Sequence, residues 1–509
     1  VTPDAVSGLA TTSGGLLLVF ALMLPVTSSL FAFALGGRHA ARIALLTVPA
    51  GLAVAGAIAW RVVDSGEALV YQLGGWAPPL GVALRADGIS AAMLLTTSIV
   101  IGATALYARA QFGGDASDGR ETRTQLVFWT MLLGLWGAMN AVLLGNDLFN
   151  LYVALELLTF SAIPLVSLGG KAETLSAALR YLIFALLGSA LYLLGTALLY
   201  GSYGTLDIIL LAGRVRPDIA TIAACALMTV GLLAKTALFP MHFWLPPAHA
   251  GAPAAASAIL SALVVKASFF LLLRLWFGVM PNVVNTSSAQ LIAILGAGGI
   301  LFGSVLALRQ ARLKLLVAYS TVAQIGYLFL MFPLITAAGA NLADSADAWA
   351  GGLVQAISHA LAKAAMFMAA GLVAEAIGHD RLKDLGGVGR ALPVTVIAFG
   401  VGGISLMGLA PSGGYIAKQF LETAMNATGQ SWLGWVTMVG GLLSFVYVLR
   451  VLVAVLFKAN GKAEFAPVSL GRQAVTLGLA LCAVGLGLLP GGFGILQIGR
   501  LPLGGGILP

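Results

Sequence analysis

Apolar runs of about twenty residues, the length that crosses a bilayer, recur along almost the whole chain and are divided by short polar or Gly/Pro punctuation. Reading the runs against that punctuation predicts fourteen membrane helices, at 14–35, 43–63, 88–108, 126–145, 148–168, 178–201, 219–239, 254–279, 288–308, 314–336, 347–375, 391–410, 432–457 and 472–490. One stretch, Tyr71 to Asp87, is too broken by Gly and Pro to span and is expected to form an ordered loop outside the membrane. The predicted fold class is all-α and polytopic, with no soluble domain and no long linker.

Composition narrows the function classes. Of 509 residues, 60% are hydrophobic and 9% charged, against roughly 25% charged in soluble domains. That excludes a soluble enzyme, a disordered chain and a nucleic-acid binder. The net charge of +8 forms no patch. Sorted by loop, the basic residues instead follow the membrane. Sixteen lie after odd-numbered helices: Arg38, Arg42, Arg109, Arg120, Arg123, Lys171, Arg180, Arg309, Arg312, Lys314, Arg381, Lys383, Arg390, Lys458, Lys462 and Arg472. Only five, Arg61, Arg85, Arg214, Arg216 and Arg500, lie after even-numbered ones. Cytoplasmic loops carry the excess of Lys and Arg. The bias therefore puts odd exits in the cytoplasm and both termini on the outer face of a bacterial-type cytoplasmic membrane. Cys225 and Cys482 sit far apart in apolar runs and read as core residues, with neither disulfide nor metal spacing.

Charges inside the spans carry the chemistry. Arg274 and Arg450 lie near helix ends, and their long stems are expected to snorkel to the interface. Lys235, Lys266 and Lys363 lie deep in apolar runs, where a cation at the helix centre costs at least ~2.5–3.5 kcal/mol. Glu156 is the one carboxylate well inside a span; Glu375, near the end of helix 11, reads as an interface residue. One buried acid among several buried lysines suggests a Glu156–lysine pair, and a lysine that can lose its proton inside a membrane is a relay element. His359 stands one turn before Lys363 on the same face, and its imidazole suits proton transfer. The bland alternatives are a snorkelling lysine, a single structural ion pair, and a hydrogen-bonded core histidine.

Two helices look interrupted. Helix 7 runs into Pro240, Pro246 and Pro247 shortly after Lys235, and helix 12 meets Pro411, Gly413 and Gly414 just before Lys418. Freed backbone groups survive at membrane depth only where protein or water satisfies them, and paired breaks point to inverted repeats around an ion path. Pro240 and Pro411 are 171 residues apart, consistent with repeats of helices 4–8 and 9–13. The expected organisation is 1–125 (helices 1–3), 126–280 (first repeat), 281–460 (second repeat) and 461–509 (helix 14 and tail).

These residues carry a family resemblance. FNLYVALELLTFSAIPLV, LLAKTALFPMHFWLPPAHAGAPAAASAILSALVVKASFFLLLR, LKLLVAYSTVAQIGY, SHALAKAAMFMAAG and GLAPSGGYIAKQFL resemble the antiporter-like proton-pumping subunits of respiratory complex I, of Mrp-type multisubunit cation/proton antiporters and of membrane-bound hydrogenases. The resemblance covers roughly residues 85–460. It implies two inverted five-helix repeats and a proton relay through Glu156, Lys235, Lys266, His359, Lys363 and Lys418, with His242, His249 and Gln324 as accessory candidates. It also implies partner membrane subunits, protons and a second cation such as Na+ as the transported ions, and no resident cofactor or metal. Two departures stand out: Pro247 where the family usually has Asp, and Gln355 where some members carry an extra histidine. They lean towards the Mrp D-type or complex I middle subunits. With no CxxC, nucleotide loop or haem-like histidine pair in the chain, energy is expected to arrive from partner subunits or a second ion gradient. The competing readings are a self-contained ion-coupled solute symporter and a passive scaffold. The symporter would be expected to place more polar groups beside the breaks, and the scaffold leaves the buried lysines unexplained.

Overall fold

The computed structural model describes residues 10–112, 123–338, 343, 345–457, 465–489 and 491–501, with the side chains of residues 37 and 38 excepted. Of the basic residues counted by loop, Arg120, Lys458, Lys462 and the Arg38 side chain lie outside that set. Thirteen described helices are long and apolar enough to cross a membrane. In chain order these are α1 Leu16–Leu35, α2 Gly37–Ser65, α3 Gly88–Phe112, α4 Arg123–Leu144, α5 Leu148–Ser167, α6 Ala172–Tyr203 and α7 Ile219–Gly251, then α8 Ala254–Val279, α9 Thr286–Arg309, α10 Leu313–Ala338 and α11 Ala346–Ile377, with α13 Ser431–Leu456 and α14 Leu470–Leu488 closing the chain. Between α11 and α13, α12 is built from two shorter helices, Pro393–Met407 and Gly413–Ala427. The fourteen predicted spans correspond to these fourteen elements. The loop foreseen at Tyr71–Asp87 contains most of a two-stranded antiparallel hairpin, β1 Leu69–Gln72 with β2 Ala83–Ala86, in the register Leu69 to Ala86.

Burial grades inward. α1 and α2 turn Leu30, Phe31, Phe33, Leu46 and Trp60 outward, as lipid-facing helices do, whereas α8 is buried along its whole length except at its first residue, Ala254, and at Arg274. Every side chain of α8 up to Leu273 meets protein, so this helix is the axis of the bundle.

The two interruptions share one geometry. Before the first, the N–H of Ala237 donates to Ala234 O at 3.2 Å and that of Leu238 to Leu233 O at 3.1 Å; before the second, Gly408 donates to Ser405 O at 3.2 Å and Leu409 to Ile404 O at 3.1 Å. This is the Schellman arrangement, which satisfies carbonyls left over at a helix end. It needs a left-handed residue, supplied by Ala237 (φ 61) and Gly408 (φ 74). Pro240 and Pro411 follow three residues later in each case, and a prolyl nitrogen cannot continue a helical ladder. At Gly408 glycine is also demanded by space, because a Cβ would fall 2.5 Å from Lys418 Cδ.

A second correspondence lies at the starts of α5 and α10. Leu148 N–H donates to Leu206 O (3.0 Å) and Ile208 N–H to Asn146 O (2.8 Å), while Leu313 N–H donates to Asp380 O (2.7 Å) and Leu382 N–H to Ala311 O (2.9 Å). Each pair makes an isolated antiparallel bridge, Asp147 to Asp207 and Arg312 to Arg381. Each joins the N-cap of one helix to the fourth residue past the end of the next.

Three expectations need correction. Arg274 does not snorkel: it donates from Nη1 and Nη2 to Asp87, the latter at 2.7 Å, and at 2.9 Å to Ser90 Oγ. Arg85 adds a second guanidinium on Asp87 at 3.0 Å and bonds Gly499 O at 2.5 Å. A buried acid on the loop before α3 offers Arg274 a better partner than the headgroups do. Cys225 is buried as expected, but Cys482 is exposed on the outer face of α14. Lys314, counted as a loop cation, is buried in the first turn of α10. Arg450 reaches the Leu308 carbonyl from an exposed position, and Glu375 pairs with Arg472 at 2.7 Å while staying partly exposed, both as interface residues do.

The Asp87 cluster yields a stability prediction. Burial alone would raise this carboxyl's pKa, but the Arg274 and Arg85 guanidiniums outweigh it and hold it well below the usual carboxylate range. Asp87→Asn leaves two buried guanidiniums without a counter-charge, a loss of about 3–5 kcal/mol, read as a lower unfolding temperature of the solubilised protein. Because the folded pKa is depressed, the contribution is complete above about pH 4 and fades only as pH falls below it. Wild-type and variant melting should therefore converge only in strong acid. Equal melting at neutral pH would refute the role.

Candidate proton-transfer site

The last turn of α7 before its break presents Lys235 to α5 and α6. Its Nζ lies 3.1 Å from Glu156 Oε1, 2.5 Å from Ser189 Oγ, 3.2 Å from Thr159 Oγ1 and 3.5 Å from the Ala185 carbonyl. Ser189 Oγ also donates to Glu156 Oε1. The side chains of the pair are 7% and 13% exposed. Two opposite charges this deep hold together only because hydroxyls and a carbonyl complete their hydrogen bonding. The pair suggested by counting buried charges is thus Glu156 with Lys235.

Lys266 is wholly buried on α8. It follows a widened π-turn at Leu260–Val264, a feature found often at functional positions, and its Nζ donates to the Ser261 carbonyl within that turn. Lys363 on α11, also wholly buried, donates to the Val317 carbonyl at 3.1 Å and to Ser320 Oγ. Among the described residues neither lysine has a carboxylate partner. Ser261 Oγ and Thr321 Oγ1 lie 3.0 Å apart, which links the α8 turn that holds Lys266 to the α10 face that holds Lys363. His359 is buried on α11 one turn before Lys363, and neither ring nitrogen has a hydrogen-bond partner among the described residues.

Lys418, in the second half of α12, donates to the Met407 carbonyl at 2.8 Å, on the near side of the helix break. Its ammonium lies 5.0 Å from the centre of the Tyr327 ring, a cation–π distance. Gln324 accepts from Gln355 Nε2 at 2.8 Å and donates to the Leu406 carbonyl at 3.1 Å, tying α11 to the last turn before the same break. His249 is buried near the row. His242 sits apart, in an aromatic collar with Phe239, Phe243 and Phe302, and no hydrogen bond joins it to the lysines among the described residues.

Sequence reading predicted α10 and named Gln324 on it, but missed the contacts that Val317, Ser320, Thr321 and Tyr327 make from the same face. Val317, Ser320, Thr321, Gln324 and Tyr327 fall on one helical face and supply contacts to Lys363, Lys266 (through Ser261), Gln355 and Lys418 in turn. Their i, i+3, i+4, i+7 spacing was a readable signal. It is quiet beside a buried charge, because a helix satisfies its own hydroxyls: Thr321 bonds the Val317 carbonyl four residues back at 3.0 Å.

Comparison with known proteins fits this geometry. The chain is 34% identical over 391 residues to NADH-quinone oxidoreductase subunit N of Desulforudis audaxviator, covering 76% of this chain and 75% of that one. It is 28% identical over 408 residues, 79% of each chain, to the D-type Na(+)/H(+) antiporter subunit of Bacillus subtilis. A chain of the membrane-bound sulfane sulfur reductase, an archaeal respiratory membrane complex, superposes with a TM-score of 0.84 at 25% identity, covering 95% of this chain and 98% of that chain. These relatives are named as subunits or parts of complexes, which gives no support to a self-contained symporter. The family described as NADH:quinone oxidoreductase/Mrp antiporter, transmembrane, matches residues 145–444, a stretch that holds the Glu156–Lys235 pair, both helix breaks and every lysine of the row, and the chain belongs to that family.

Proposed function

We propose that this chain is a proton-translocating, antiporter-like subunit of a larger membrane complex. In this reading protons pass along Glu156, Lys235, Lys266, His359, Lys363 and Lys418, driven by cation exchange or by redox chemistry in partner subunits. The observation that carries it is the buried Glu156–Lys235 pair continued by two wholly buried lysines that lack a counter-charge among the described residues. A static scaffold would bear that cost for nothing. Protons exchange through water where the side chains do not touch, and α10 orients the members of the row.

Two inverted repeats, 126–280 and 281–460, organise the path. Support comes from the matching helix breaks and the matching bridges at the starts of α5 and α10. Under the orientation below, those bridges lie on opposite faces of the membrane, as inversion requires.

The experiment is reconstitution of the intact complex in proteoliposomes with a pH-sensitive dye. Uncoupler-sensitive acidification or alkalinisation on adding the partner ion or electron donor supports the reading; its absence in a complex that turns over refutes it. The orientation follows the positive-inside bias, with Arg381 and Lys383 in the cytoplasm and both termini outside. Lys383 is exposed, and Leu80, beyond β1, is 86% exposed. With Cys225 and Cys482 replaced, a cysteine at Leu80 should react with an impermeant thiol reagent in intact cells and one at Lys383 should be protected. The opposite pattern overturns the topology.

A further inference from the structure

A helix end leaves its last four carbonyls without donors of its own. In the first half of α12, Pro393–Met407, these belong to Ile404, Ser405, Leu406 and Met407. The Schellman turn serves the first two, through the N–H groups of Leu409 and Gly408. Side chains from elsewhere serve the others: Gln324 Nε2, on α10, donates to Leu406 O at 3.1 Å, and Lys418 Nζ donates to Met407 O at 2.8 Å. At the first break Lys235 turns away to Glu156. Lys418 has no carboxylate partner among the described residues, and its ammonium is placed by the Met407 carbonyl and the face of the Tyr327 ring. The break itself therefore sets where this lysine stands.

A backbone carbonyl can only accept, so Gln324 must turn its NH2 group to Leu406 and its Oε1 away. That oxygen receives Gln355 Nε2, on α11, at 2.8 Å. The helix end thus fixes the polarity of both amides, and position 355 has to hold a donor. Gln324 and Gln355 are 0% and 3% exposed, a depth at which an unmet polar atom costs more than a made bond gains. A second tie runs beside the first, with Ser358 Oγ and Ser405 Oγ 2.6 Å apart. It joins α11 to the same turn of α12 but touches neither of the two carbonyls that the Schellman turn leaves open. The turn has little slack: a Cβ at Gly408 would meet Lys418, and one at Gly414 would meet the Ser405 carbonyl.

We propose that Gln324 and Gln355 are positioning residues that clamp the break of α12 and so hold Lys418 in register with the proton row. The clamp deepens the proton-translocation reading and rests on it. When a proton leaves Lys418, the hold on the Met407 carbonyl weakens, while the neighbouring Leu406 carbonyl stays bonded to Gln324 and the turn keeps its shape. The next proton then finds the amine facing the same carbonyl. Amides do not titrate over the working range of pH, so the clamp is unchanged by the charge that passes beside it.

Plain fastening of α11 to α12 is the rival, and the two ties separate it from positioning. Gln355→Met keeps the length and loses the donor; Gln355→His keeps an N–H at similar reach; Ser358→Ala removes only the other tie. Proton flux is measured in proteoliposomes holding the intact complex, with the unfolding temperature and the hydrogen–deuterium exchange of residues 404–418. Gln355→Met should assemble, lose about tenfold in flux, the factor that one buried hydrogen bond corresponds to, and exchange faster between Gly408 and Ser412. Ser358→Ala should keep flux close to wild type, and Gln355→His should keep most of it. Equal losses in Gln355→Met and Ser358→Ala, wild-type flux in Gln355→Met, or a histidine variant as impaired as the methionine one would each overturn the clamp. If Gln355→Met fails to assemble, Gln324→Met, which bares the Leu406 carbonyl directly, decides by the same comparison with Ser358→Ala. A wild-type complex that moves no protons would instead overturn the function itself; full flux in Gln355→Met beside an inactive Lys418→Ala would overturn only the clamp.

Discussion

Glu156→Gln is expected to abolish complex-dependent proton transport, with a loss of about 100-fold or more, while the chain still inserts and assembles. Glutamine fills the same space and can still accept from Ser189, so packing between α5 and α6 is retained. The change falls on Lys235. In the wild type its ammonium is held by one carboxylate and by three neutral oxygens, from Thr159, Ala185 and Ser189. After substitution only the neutral oxygens remain, the pair no longer has two members that exchange a proton, and the row is cut at its first step. Wild-type rates in assembled Glu156→Gln complexes would remove the pair from the path.

Lys266→Arg and Lys363→Arg should be nearly as damaging, and for a different reason. Each keeps the positive charge and can donate to the oxygens that now hold the lysine, the Ser261 carbonyl for one, the Val317 carbonyl and Ser320 hydroxyl for the other. What is lost is the ability to release a proton. We expect assembly to persist and most transport to vanish, as with alanine at the same positions. Near-normal rates would mean that these lysines supply fixed charge only, and the relay would fail although the family membership stands. The larger guanidinium must also fit among α8, α10 and α11, so the unfolding temperature of each variant complex is the necessary companion measurement.

The residues that sequence alone exposed are those whose burial is expensive. Lys235, Lys266 and Lys363 stand out in apolar runs because a cation there costs kcal/mol, and Glu156 follows as a counter-charge within reach. The helix breaks were legible for a similar reason, since Pro240 and Pro411 remove donors that the ladder needs. What stayed hidden depends on partners distant in sequence. Nothing near Arg274 reveals that Asp87, 187 residues earlier, will receive it. Nothing in the loop count shows that Lys314 turns inward to the Ala252 carbonyl rather than outward to headgroups. The outward-facing Cys482 was misplaced because an apolar run in a membrane chain does not say which of its sides meets lipid. Small hydroxyls such as that of Ser320 are the quietest of all: in sequence they look like ordinary helix residues, and their role appears only when another helix brings a lysine to them.

The enclosure of α8 bears on how the protein is made. Helices leave the ribosome in order, and α8 emerges before α10 and α11, which carry the groups that surround Lys266 and Ser261. For the time it takes to synthesise about a hundred further residues, a newly inserted α8 therefore presents a lysine and a widened turn to lipid or to the insertion machinery. A chain cut short after α8 would be stranded in that state, with a charge on an unshielded flank. Premature termination anywhere before α11 should consequently yield a product that membrane quality control recognises and degrades, while truncations beyond α12 leave the axis already sheathed.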